Sequence, residues 1–128
     1  MLRYQIVQLF RAVLFALFIL LGSQKSGWVQ VIPDDTLGTE SSALGTGRVD
    51  GNAVQMIEGV ATRGGNLFHS FREFNIGVGE QVYFANPVNI DNILSRVTGS
   101  SISAIDGVLG VDGPANFFFL HPNGSLFG

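Results

Sequence analysis

Cysteine is absent from all 128 residues, which removes disulfides, thiolate nucleophiles and cysteine-held metals together. That absence suits passage through an oxidising compartment without assigning one. Lysine does not occur after Lys25, and neither Asp nor Glu occurs in the first thirty positions. From Val31 onward only four basic residues (Arg48, Arg63, Arg72 and Arg96) face ten acidic ones, a formal charge of −6. Four scattered arginines cannot neutralise a run of phosphates, which argues against a nucleic-acid partner. Beyond the N-terminus no segment holds a helical period over a useful length. No Gly-x-Ser-x-Gly elbow, Walker loop or dinucleotide fingerprint is present.

Glycine and phenylalanine are abundant, with seventeen and eleven copies. Hydrophobic residues make up 46 % of the chain and charged ones 13 %, a balance apolar enough to fold. Arg3 and Arg11 precede the apolar run from Ala12 to Leu21, which ends at Gly22-Ser23. A basic start, an apolar stretch of about ten residues and a small polar exit form the layout of a secretory signal peptide. A membrane span needs roughly twenty apolar residues, and Arg11 interrupts any extension of this run. Residues 1–30 therefore read as a signal peptide helix, and 31–128 as the exported domain. No good pair of small residues marks the cut, so cleavage is expected near Gly27–Gln30 or the peptide is retained.

After Val31, turn-forming clusters recur at Pro33-Asp34-Asp35, Gly45-Thr46-Gly47, Gly64-Gly65-Asn66, Gly77-Val78-Gly79, Asn86-Pro87, Thr98-Gly99-Ser100, Asp112-Gly113-Pro114 and Pro122-Asn123-Gly124. Their residues tolerate positive φ or pre-set a turn, and their short spacing predicts an all-β architecture. Between them, Val54–Val60, Gln81–Ala85, Ile90–Val97, Ser101–Ile105 and Asn116–Leu120 read as strands, rich in β-branched and aromatic residues. Phe68, Phe71 and Phe74 recur every third residue, which suits neither a clean strand nor a long helix. Asn116-Phe117-Phe118-Phe119-Leu120 is apolar on both faces, as in a strand covered on both sides. A solenoid of stacked parallel strands satisfies that, and a closed barrel or sandwich competes with it. The apolar strand flush with Gly128 suggests the beginning of something longer, whether a natural truncation or a broken reading frame.

Several segments resemble one family in order. Val31–Glu40 just after a signal peptide looks like the start of cyanobacterial filamentous-haemagglutinin-type proteins, and Gly65–Asn75 resembles their next block. Asn86-Pro87 through Asn92-Ile93, then Arg96–Gly99, Ile105–Gly110, Ala115-Asn116 and His121–Gly124 continue it. The resemblance covers Val31–Gly128 and is to the two-partner-secretion, or haemagglutination-activity, domain. It implies a right-handed parallel β-helix at the N-terminus of a large exported adhesin, incomplete here at its C-terminus. It also implies recognition in the periplasm by the periplasmic domains of an outer-membrane β-barrel transporter, then folding outside the cell. The family's Asn-Pro-Asn-Gly motif stands here as His121-Pro122-Asn123-Gly124.

Asn116, His121, Pro122, Asn123 and Gly124, with Asn66, Asn86 and Pro87, are the candidate site residues, for transporter recognition or for turn formation. Turn chemistry by itself accounts for Pro122-Asn123-Gly124 and Asn86-Pro87. His69 and His121 lack partners at metal-ligand spacing, so no metal and no cofactor are expected. Asp34-Asp35, Asp50, Asp106 and Asp112 lie in turns without the repeated Gly/Asp nonapeptides of calcium-binding β-rolls, and read as carboxylates bonded to local backbone. Asp106 and Asp112 show no sign of a tuned catalytic pair, so no enzyme is expected. An adhesive module binding host or neighbouring-cell glycans through Trp28 and Tyr83 is the alternative, and a non-functional remnant of a broken gene is a further one.

Overall fold

The computed structural model describes residues 28–128; the signal-peptide reading of the chain before Trp28 lies outside them. The described residues form eleven β-strands and a short 3₁₀ turn at Gly38–Glu40. In order the strands are β1 (Val29–Pro33), β2 (Ala43–Val49), β3 (Asn52–Glu58), β4 (Ala61–Arg63), β5 (Asn66–Ile76), β6 (Gln81–Ala85), β7 (Asn92–Val97), β8 (Ser103–Ile105), β9 (Val108–Asp112), β10 (Asn116–Leu120) and β11 (Ser125–Phe127).

They make two sheets. In the first, β7 lies parallel to β5 and β10 parallel to β7, while β8 continues from the end of β5 and carries β11 parallel to itself. In the second, β3, β6 and β9 stack in parallel. The chain therefore alternates between sheets and advances one strand each time, a curled parallel arrangement. Antiparallel pairing occurs only at the start: β1 and β4 both pair with β5, and β2 pairs with β3.

The β2–β3 hairpin turns on Asp50-Gly51 between Val49 and Asn52. Both residues have positive φ, 50° and 80°, the geometry a two-residue hairpin needs to match strand twist. Gly45-Thr46-Gly47, expected as a turn, lies instead inside β2. Gly47 is needed there because a Cβ would meet the Met56 side chain across the hairpin.

Phe71 and Phe74 explain each other through β5. Leu67, His69 and Phe71 are buried, as strand alternation demands, but the next buried aromatic is Phe74 rather than Glu73. Opposite them, the register of β1 slips between Ile32, which faces Glu73, and Pro33, which faces Phe71. Arg72 is the extra residue of a β-bulge, and a bulge resets which face of the strand is inside. Gly99 sits against it so closely that a Cβ would overlap the Arg72 carbonyl.

The core fills the space between the sheets. Leu67, Phe71, Phe74, Ile93 and Val97 from the first meet Ile57, Val82 and Phe84 from the second, all essentially inaccessible. Phe84 is the aromatic hub: its ring lies 4.9 Å from that of His69, 4.8 Å from that of Phe117 and 6.0 Å from that of Phe74. Aromatic pairs at such separations contribute beyond their buried area. The two-sided coverage expected of Asn116–Leu120 is not met among the described residues. Phe117 and Phe119 turn toward the core, but β10 is an edge strand paired only with β7, and Phe118 and Leu120 are half exposed.

Candidate functional site

Because parallel strands stack in register, each outward position becomes a column running across the sheet. On the outer face of β5, β7 and β10 the first column is Asn66, Asn92 and Asn116. Asn92 Nδ2 donates to Asn66 Oδ1 at 3.0 Å, and Asn116 Nδ2 donates to Asn92 Oδ1 at 3.1 Å. The three form an amide ladder, a device of stacked in-register strands. The neighbouring column is apolar (Phe68, Leu94, Phe118), and the next is Ser70, Arg96, Leu120.

Between the last two columns lies a groove of about 570 Å³. Phe68 and Leu94 form one wall, Arg96, Thr98 and Leu120 the other, with Leu37 and Pro122 also lining it. The turn that carries Pro122 is held in two ways. Asn123 Nδ2 donates to Gly99 O at 3.0 Å, and Gly124 N donates to His121 O at 3.0 Å. His121 Nδ1 accepts the Asn123 backbone N–H at 3.2 Å. An asparagine makes the same side-chain bond to the amide two residues on, so the histidine keeps the local role of the residue it replaces.

A polar clasp fixes the Arg96 side of the groove. Asp34 accepts from Thr36 N and Thr36 Oγ1 at Oδ1, and from Ser70 Oγ and Thr98 Oγ1 at Oδ2. Burial alone pushes the Asp34 carboxyl up, but the bonds from Thr36, Thr98 and Ser70 outweigh it and hold its pKa at about 2. Arg96 Nε donates to Ser70 Oγ at 2.8 Å and its Nη2 to Thr36 Oγ1 at 2.8 Å. The segment after β1 is thereby tied to β5 and β7 at once.

Asn86 and Pro87 lie apart from this face, at the corner after β6. Asn86 Nδ2 donates to Pro87 O and Ile90 O, while its Oδ1 accepts Ala115 N at 2.9 Å. The structure thus brings Asn66, Asn116, Pro122 and Asn123 to the outer face of β5, β7 and β10, and leaves Asn86 and Pro87 elsewhere. Asn92 belongs with them and was not singled out, although its spacing from Asn66 and Asn116 (26 and 24 residues) repeats the strand-to-strand interval. The clasp had no sequence signal, since Asp34 meets Ser70 across 36 residues and Thr98 across 64.

Inside the sheet, His69 and Ser95 are register neighbours and buried. Ser42 Oγ lies 2.7 Å from His69 Nδ1, whereas His69 Nε2 and Ser95 Oγ have no partner among protein atoms. Burial lowers the His69 pKa to about 4, so the ring is neutral near pH 7. Among the described residues no group of three His, Asp or Glu side chains is placed to hold a metal. Tyr83 lies over Gly110, where a Cβ would come within 2.6 Å of its ring, and Trp28 is half exposed at the start of β1.

A family model described as "TPS secretion domain" matches residues 29–128. No curated protein matches the chain, and no solved structure does.

Proposed function

Since the chain belongs to the TPS secretion-domain family, a family of secretion domains rather than of enzymes, we propose that residues 31–128 are the secretion-targeting and fold-nucleating part of a large filamentous-haemagglutinin-like adhesin. The partner is an outer-membrane β-barrel transporter with periplasmic recognition domains, reached after export by a signal peptide in residues 1–30, and the product is surface-exposed or secreted. The curled parallel sheets are the first turns of a right-handed parallel β-helix.

The observation that carries this reading is the pairing of a protected start with an open parallel edge. β1 and β4 cover the outer edge of β5, whereas β9, β10 and β11 each pair on one side only. A stack of this kind offers a ready template for strands that arrive later. The amide ladder and the turn at His121–Gly124 hold that template in shape.

The experiment is secretion of tagged residues 1–128 in cells with and without the transporter. Transporter-dependent appearance in the medium, lost in Asn123→Ala, supports the reading. Equal release or equal periplasmic degradation in both strains overturns it.

A further inference from the structure

The groove on the outer face of β5, β7 and β10 has a chemistry of its own. Its walls are Phe68 and Leu94 on one side, Leu120 and Pro122 on the other, and a single guanidinium, that of Arg96, stands among them. Arg96 bonds only hydroxyls, those of Ser70 and Thr36. The nearest carboxylate of that cluster, Asp34, already accepts four hydrogen bonds and reaches Arg96 only through those hydroxyls. The ion pair among the described residues is elsewhere, between Arg63 and Glu40. Arg96 therefore keeps donor capacity on an apolar surface with no anion to meet it, within a domain of charge −6.

We propose that this groove is where the transporter's periplasmic domain docks, through an extended segment that seats one leucine-sized side chain between Leu94 and Leu120 and sets a carboxylate on Arg96. The proposal rests on the transporter reading above. An extended segment laid across the strands presents side chains on one face about every 6.8 Å, and the strands beneath are about 4.8 Å apart. An apolar residue and an acidic one two positions on thus reach the Leu120–Pro122 end and the guanidinium together. The carboxylate answers the unmet charge, and a bidentate pair with arginine fixes the register of the segment. On this view the Pro122-Asn123-Gly124 turn is not itself read. It builds a wall, and Asn123 on Gly99 O keeps the wall in place.

The test measures binding of the full chain to the isolated periplasmic domains of the transporter that secretes it. Leu120, 54 % exposed, can change without disturbing the core. Leu120→Glu and Arg96→Gln are each expected to weaken binding at least about tenfold, the loss of one charge-assisted or apolar anchor. Arg96→Lys recovers part of the Arg96 loss, and Val78→Glu on the distant β5–β6 turn changes nothing. Unchanged binding by Leu120→Glu, with the wild-type chain bound, places docking on another face and overturns the proposal while the transporter reading stands. Loss in Leu120→Glu without loss in Arg96→Gln overturns the carboxylate. A wild-type chain that does not bind these domains overturns the transporter reading, and this proposal with it.

Discussion

Asn92 donates its side-chain amide to Asn66 at 3.0 Å and, through its other atom, accepts from Asn116 at 3.1 Å. One side chain thus joins three strands. In Asn92→Ala both bonds go, and the partly buried Asn66 loses its partner. Such a loss costs about 1–2 kcal/mol, and urea unfolding of the chain reads it. Asn92→Asp does worse, because its carboxylate faces the Asn66 carbonyl oxygen and cannot donate. A variant with a midpoint equal to wild type would show that the ladder is ornamental.

Ser95 is predicted to behave in the opposite way. It is fully buried and its hydroxyl meets no protein partner, so the fold bears an uncompensated desolvation there. Ser95→Ala is expected to be neutral or to stabilise by about 1 kcal/mol. Destabilisation in the same urea assay would mean that the hydroxyl has a partner after all.

Acid should weaken the fold through two groups. His69 has a folded pKa of about 4 against 6.5 when unfolded, so below pH 6.5 the unfolded chain takes up a proton that the folded chain refuses. Stability is full above pH 6.5 and declines toward pH 4, by about 3 kcal/mol at most for a shift of this size. Asp34 adds a second loss from pH 3.8 down to about 2, as its carboxylate is protonated away from the clasp. Melting measured from pH 7.5 to 4 should slope in the wild type and be flatter in His69→Phe, which keeps a ring beside Phe84. An equal slope in both would assign the effect to other groups.

Gly99 and Gly45 make a matched pair. Gly99→Ala drives a methyl into the Arg72 carbonyl at the bulge, whereas nothing lies within 4 Å of the corresponding position at Gly45. The first is expected to cost about 1–3 kcal/mol and the second very little, as thermal unfolding would show. Comparable losses would remove the bulge contact as the cause.

The β-class of the chain and the strands at Gln81–Ala85 and Asn116–Leu120 were legible because local pattern and turn residues agree there. Ile90–Val97 was read two residues early, since Ile90 is buried in the turn, its N–H bonded to Pro87 O. Gly45-Thr46-Gly47 misled because its glycines answer to Met56 across the hairpin, a contact no local pattern displays. The Phe68, Phe71, Phe74 spacing had no strand meaning until the Arg72 bulge supplied one. Of the outer face, the turn residues announced themselves by type. Leu94, Arg96 and Ser70 did not, because a column across parallel strands is assembled from residues a full circuit apart.

The antiparallel strands at the beginning of the fold have a kinetic consequence. β1 and β4 run against β5 and occupy its free edge, so a newcomer strand of the chain's own direction finds no berth there. At β9, β10 and β11 it does. Accretion of further strands onto these sheets is in this sense irreversible in direction: each addition lengthens the stack away from its beginning. For a chain that emerges from a membrane one end first, such a one-way sheet would convert folding into traction, with each docked strand opposing retreat.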